Sequence, residues 1–364
     1  MSDEPQNEVR VDIRNDTRGE GRSSVTMREV AERAGVSMMT VSRVMNATAI
    51  VRPSTREKVE AAIRDLNYRP NLGARRLAGG KSLFVGLLYH NPSPSYLSQV
   101  LVGSLAACRK DGHHLVLDDL GTVMPYVDPE AAVRSLNTSD LDGLVVTPPL
   151  SGHAPLMEAL GEVGLPIVHI APGDMPGATL QVAMNDMAAM KEMVMRVVGF
   201  GHKRVAFVAG PSEHPSSSER YRGFVEGLRA FKLASDDELL HRGDYTYRSG
   251  FDAGRRLFNL KEQPTAVVAS NDDMAAGVVA AAYTFGLRVP EDVSVTGFDD
   301  TMMARNVWPE LTTVRQPIAE MAEQAVRLLT AHLQGDAKAV AENSQELGYQ
   351  IRMRDSLAKF ATAR

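Results

Sequence analysis

The stretch VTMREVAERAGVSMMTVSRVMN, residues 25–46, decides how the first part of the chain folds. Thr26 followed by Glu29 has the spacing of a capping box, in which a hydroxyl and a carboxylate satisfy each other's backbone amides at a helix start. Val30, Ala31 and Ala34 then recur at helical spacing, and Gly35 interrupts them where a tight turn needs a positive φ. Ser37 is placed to cap a second helix whose Val41 and Val44 turn inward with Val30 and Val36. Two short helices, a glycine turn and the small Ala31 at their crossing predict a helix-turn-helix. The outer face of its second helix carries Met38, Met39, Ser42 and Arg43. In a major groove Arg43 can donate a fork of hydrogen bonds to a guanine edge, while Ser37, Thr40 and the first helical amides hold phosphates.

Outward from this stretch, Ser54 and Glu57 repeat the capping-box spacing and predict a third helix with Val59, Ala62, Ile63 and Leu66. Pro70 ends the headpiece at residues 25–70, and residues 71–81 read as a hinge with about two turns of conditional helix. Residues 1–24 are polar and lack periodicity, the pattern of a disordered leader. The net charge of −5 over 364 residues is unevenly spread: residues 26–81 carry +6 and residues 82–364 carry −9. A basic module on an acidic body points to nucleic acid at one end. A helical bundle that docks on protein shares the same geometry, but the local charge and the outward arginine favour DNA.

From residue 83 the texture changes. Apolar runs at 83–89, 114–118, 141–147, 166–170, 204–209, 265–269 and 293–297 alternate with amphipathic stretches at 96–110, 186–198, 219–231 and 272–285. Runs rich in Val, Leu and Ile without alternation are strands buried on both faces. The rhythm predicts an α/β body, residues 82–364, of two lobes, each with a doubly wound parallel sheet, following an all-α headpiece. Ligands in such folds bind beyond the carboxyl ends of strands. Tyr89, His90, Asn91, Asn271, Asp272, Asp299 and Asp300 all follow predicted strands, and Arg220 stands near the start of a helix after a Ser-rich loop. Converging Asp, Asn and Arg suit a polyhydroxylated ligand, with Tyr96 or Tyr245 covering its C–H face.

The headpiece stretch, followed by STREKVEAAIRDLNYRPN and ARRLAGGKS, resembles the lactose-repressor/galactose-repressor (LacI/GalR) family of regulators. The resemblance continues through HKRVAFVAGP, RYRGF, ASNDDMAAG, VSVTGFDD and LTTVRQP, over about residues 25–356. It implies a homodimer on a pseudo-palindromic operator, with a hinge that becomes helical on DNA and wedges Leu77 into the minor groove beside Ala74. Thr26, Asn46, Tyr68 and Asn71 complete the implied DNA contacts. The implied effector residues are Arg220, Asn271, Asp299, Tyr245 and Gln316, joined by Tyr89, His90 and Tyr96 from the strand-end reading. Asp272 has an alternative as a helix cap, Asp300 as a structural acid, and Gln316 as a partner of a hinge strand. Sugar-binding members often carry an aspartate after the fourth strand. Here that position is Ala171, with His169, Asp174 or His90 as replacements.

Other function classes fit poorly. One cysteine, Cys108, permits no intrachain disulfide, and no apolar run reaches membrane-spanning length. The leader lacks a signal-peptide core, so a cytoplasmic protein is expected rather than a periplasmic solute-binding protein of similar body fold. The acid pairs Asp118-Asp119, Asp272-Asp273 and Asp299-Asp300 are adjacent residues, unlike glycosidase carboxylates set across a substrate. With no nucleophile elbow, P-loop or metal-spaced histidines, neither an enzyme nor a cofactor is expected. The combined reading is a repressor of a carbohydrate-use operon, released by a sugar-like inducer. A corepressor-dependent or activating regulator is the open alternative.

Overall fold

The computed structural model describes residues 26–46, 51–66, 82–91, 93–119, 128–136, 141–173, 177, 179–336 and 343–360. They belong to two compact units divided between Lys81 and Ser82. The leader, the hinge with Asn71, Ala74 and Leu77, and the positions Tyr68 and Asp174 lie outside the described residues.

The first unit contains α1 (Met27–Ala34), α2 (Met38–Asn46) and α3 (Pro53–Asp65). The Thr26–Glu29 capping box forms in both directions, and Gly35 ends α1 at φ 67°. Ser37 Oγ accepts from the Thr40 amide at 3.2 Å, starting α2. The third helix differs from its reading: it begins at Pro53, with Arg52 at the N-cap and no side-chain cap. Proline is favoured in the first helical turn, where its missing N–H leaves nothing unpaired, so the helix starts before Ser54. Val30, Ala31, Val41, Val44, Val59 and Ala62 close a small core.

The second unit holds two six-stranded sheets. In the first lobe β1 (Phe84–Tyr89), β2 (His114–Asp119), β3 (Gly143–Val146), β4 (Ile167–Ile170), β5 (Gln181–Met184) and β11 (Ser344–Leu347) run parallel in the order β11-β5-β4-β3-β1-β2. In the second, β6 (Val205–Ala209), β7 (Leu240–Arg242), β8 (Ala266–Ala269), β9 (Ser294–Asp299), β10 (Thr312–Arg315) and β12 (Gln350–Arg352) take the order β12-β10-β9-β8-β6-β7. Among the described strands only β12 is antiparallel to its neighbour. Strands β3, β6 and β8 are buried along their whole length, which explains their unalternated apolar sequence.

Helices α4 (Pro94–Asp111), α5 (Pro129–Leu136) and α6 (Ala154–Val163) belong to the first lobe. The second has α7 (Asp186–Gly199), α8 (Pro215–Arg229), α9 (Tyr247–Phe258), α10 (Asp272–Thr284) and the short α11 (Met302–Asn306). The last helix, α12 (Ile318–Leu333), returns to the first lobe and packs on α4 and β4. The chain therefore crosses between lobes three times: after β5, after β10 and after β11. The methionines of this region divide by place: Met190 and Met193 fill the core beneath α7, Met184 sits on β5, and Met195 is exposed.

Candidate functional site

In the first unit, the face of α2 that leaves the core presents Met38, 52% exposed, and Met39, 63% exposed. Ser37 and Arg43 are exposed beside them, with Thr40 and Ser42 half-buried and Asn46 at the end of the helix. Thr26 is exposed at the start of α1 but spends its hydroxyl on the capping box. Two large apolar side chains held outward on a nine-residue helix are a contact surface, not core.

In the second unit, the carboxyl ends of facing strands line a cleft with about 390 Å³ of empty space, the part open to solvent included. Asn91, Ser93, Tyr96 and Ala171 line it from the first lobe, His214, Ser216, Arg220, Tyr245, Asn271 and Asp299 from the second, and Gln316 from a crossing. Arg220, only 4% exposed, is its hub. Its Nε donates to Asp186 at 2.7 Å, Nη1 to the Ser270 carbonyl at 2.6 Å, and Nη2 to Gln316 Oε1 at 3.2 Å. Asp299 Oδ1 lies 3.6 Å from Nη1, and the Phe298 ring stacks 3.7 Å beneath the guanidinium. Burial opposes the arginine's charge, but Asp186 and Asp299 outweigh it and raise its pKa. The same burial raises both acids, with Arg220 opposing.

Local backbone explains why these side chains meet. Asp299 and Asp300 close β9 at φ 112° and 55°, conformations that cost non-glycine residues roughly 1–3 kcal/mol each. Asp300 is held there by Arg354, with Arg305 also within 3.7 Å, so it is structural. Asp272 accepts from the Thr301 amide and from the Thr301 and Thr313 hydroxyls, and burial raises its pKa to about 7. It braces the strand end. The cap of α10 is Asn271 instead, whose Oδ1 accepts from the Met274 amide while its Nδ2 donates to the Tyr245 carbonyl. That second bond holds Tyr245 at φ 67°. Its ring then fills the space beside Gly210, where a Cβ would stand 2.2 Å from the tyrosine Cζ.

Two contacts join the lobes beside the cavity. Ser93 Oγ donates to Asp273 Oδ2 at 2.5 Å. Pro215, at the start of α8, packs against Gly152 and Gly173, where added Cβ atoms would meet its ring at 2.2 and 2.5 Å. Tyr96 Oη and Asp299 Oδ1 are buried without a hydrogen-bond partner among the described residues, leaving both for a ligand.

Of the eight effector residues named from sequence, Tyr96, Arg220, Tyr245, Asn271, Asp299 and Gln316 line the cavity together. Tyr89 ends β1 and His90 follows it. Neither lines the cavity, whereas Asn91 does. Ala171 is present at the wall, and the carboxylate that meets Arg220 comes from Asp186 on the first inter-lobe crossing. His169 instead lies against the Ser151 carbonyl at 3.3 Å. Sequence reasoning missed His214, Ser216 and Asp186. Pro215 was the available signal: it starts α8 one turn earlier than read, which places His214 at the N-cap and Ser216 in the first turn.

His214 is buried with its ring edge against Tyr245 at 4.9 Å. Burial, then Arg220 and His90, lower its pKa to about 4. A depressed histidine contributes stability that is fully present above its unfolded value of about 6.5 and is lost as pH falls toward 4. His214→Gln is therefore expected to lose less melting temperature than the parent between pH 7 and pH 4.5. Equal losses in parallel thermal melts would remove His214 from the buried cluster. The acids titrate in both proteins, so the difference isolates the imidazole.

Residues 26–71 match the family model described as bacterial regulatory proteins, lacI family, and residues 194–357 match that of a periplasmic binding protein-like domain. Catabolite control protein A of Priestia megaterium is 32% identical over 339 residues, covering 92% of this chain and 99% of the relative. A solved lac repressor bound to ONPG in the repressed state is 30% identical, with a TM-score of 0.78 over 92% of this chain and 99% of that one. The transcriptional regulator CelR in complex with cellobiose is also 30% identical, with a TM-score of 0.69 over 91% and 99%. No helix among the described residues is long and apolar enough to cross a membrane.

Proposed function

This chain belongs to the lacI family of bacterial regulatory proteins, and from that premise we propose that it represses a carbohydrate-use operon as a homodimer and leaves its operator when a small sugar or sugar derivative enters the cleft. It is a DNA-binding transcriptional regulator and not an enzyme. The observation that carries the proposal is the division of chemistry between the units. One presents an outward reading face on a basic module, and the other buries unpartnered polar groups in a cavity at facing strand ends. Similarity to a regulator solved with cellobiose supports a carbohydrate over other small ligands. An apolar patch on the second lobe supports the dimer: Trp308 is 76% exposed, and its carbonyl accepts from Tyr283, itself exposed.

Mobility shift on DNA from upstream of its own gene tests the reading. Binding should weaken steeply with salt, as phosphate contacts require. Release by a sugar supports induction, tightening by it favours a corepressor, and failure to bind specific DNA overturns the proposal. Coupling must be reciprocal, so operator DNA should lower sugar affinity by the same factor.

Leu77 is proposed as the minor-groove wedge and Met38 and Met39 as apolar contacts to thymine methyls. Leu77→Ala should weaken operator binding by at least tenfold, about 1.4 kcal/mol, with little change on non-specific DNA. Equal losses on both DNAs would reject the wedge.

A further inference from the structure

The charge of the effector follows from the ionisable groups around the cleft, provided the cleft is the effector site as proposed above. Arg220 is the one buried arginine or lysine among the described residues, and its guanidinium is already engaged on every nitrogen. Two carboxylates, Asp186 and Asp299, face it. Burial drives Asp299 toward its neutral form while Arg220 opposes that. With Asp299 ionised, the three groups sum to −1. With Asp299 protonated and Asp186 held ionised by its 2.7 Å bond from Arg220 Nε, they sum to zero. In neither state does positive charge remain for an anionic ligand, and a buried charge without a partner is strongly disfavoured.

Among the described residues the surroundings add no unpaired positive charge. Asp273 behind the cavity is joined to Ser93, and Asp272 is held by Thr301 and Thr313. Among the described residues, the adjoining groove beside Ala171 is bordered by Asp186, Glu219 and Glu346, and by no lysine or arginine. The groove on the other side has Arg305 and Arg315, but these face Asp300 at 3.7 Å and Glu320 at 3.8 Å. The free hydrogen-bonding atoms at the wall, Asp299 Oδ1 and Tyr96 Oη, suit ligand hydroxyls.

We infer that the cleft takes an uncharged polyol and excludes phosphorylated and carboxylated sugars. Asp186 sets this preference: it neutralises Arg220, whose charge would otherwise attract an anion.

The test is calorimetric titration of the full chain with glucose, galactose, xylose, ribose and inositol, alongside glucose 6-phosphate, ribose 5-phosphate, glucuronate and galacturonate at constant ionic strength. Saturable heat is expected from an uncharged member only, lost in Asn271→Ala and weakened in Tyr96→Phe. Binding of a phosphate or uronate that is lost in Asn271→Ala overturns the inference and leaves the cleft as the effector site. Binding unaffected by either variant overturns the cleft reading itself. A second arm needs no matching sugar. Asp299→Asn and the double variant Asp186→Asn, Asp299→Asn, checked for folding by circular dichroism, are titrated with inorganic phosphate in thermal melts. Phosphate should raise the melting temperature of the double variant above any shift in the parent, and Arg220→Lys added to it should diminish that gain. No gain in a folded double variant overturns the inference.

Discussion

Arg220→Ala is expected to cost about 3–5 kcal/mol of stability, because it leaves two buried carboxylates without their cation. The loss should be smallest in acid, where Asp186 and Asp299 take up protons. It should grow as pH rises, since without the arginine their folded pKa values climb further above the unfolded one. Denaturant titrations at pH 5 and pH 7.5 measure this directly. A loss no larger than the ~1 kcal/mol of an exposed ion pair would mean that the cluster is solvated. Any effector response should vanish as well. Arg220→Lys separates the two effects: a single ammonium keeps the charge but cannot serve Asp186, the Ser270 carbonyl and Gln316 together. That variant should retain most of the stability and operator binding while losing the response.

Gly277→Ala is the second large effect. At the crossing of α9 and α10, its new Cβ would stand 2.2 Å from the Tyr247 carbonyl oxygen and 2.5 Å from the Phe251 amide nitrogen. Both are backbone atoms, so no side-chain rotation relieves the clash and the helices must separate. Gly250 faces the same seam and has the same restriction against Met274. Overpacking of this kind costs roughly 1–3 kcal/mol and more where nothing yields. We expect about 3 kcal/mol or more, read from the denaturation midpoint. Gly161→Ala is the internal comparison: it lies in α6 with open space around its Cβ position, and should stabilise by about 0.4–1 kcal/mol. If both alanines behave alike, helix propensity rather than close approach governs α10.

Local rules carried much of this reading. Capping, a glycine turn and helical spacing define α1 and α2 within short windows, and the structure reproduces them. Unbroken apolar runs marked β1, β3, β6 and β8 because a strand covered on both faces must be apolar throughout. The cavity residues that follow such strands, Asn271 and Asp299, were equally legible. Less legible were groups whose position depends on how the lobes exchange chain. Asp186 reaches Arg220 only because the segment after β5 leaves the first lobe. Asp272 looked like a cap by spacing, yet the adjacent Asn271 takes that role and frees Asp272 to brace Thr301 and Thr313.

The three crossings bear on synthesis as much as on ligand binding. A nascent chain that has reached Arg315 contains five strands of each sheet, but not α12, β11 or β12. Met321, Val326, Leu328 and Leu329, all buried in the first lobe's core, are still to be made. The earliest lobe to be translated is thus among the last to be completed, and its apolar sheet face waits for a helix encoded more than a hundred residues downstream. Contacts so distant in sequence slow folding and leave unfinished surfaces open to aggregation. Loss of the final fifty residues would therefore damage the beginning of the body as much as its end.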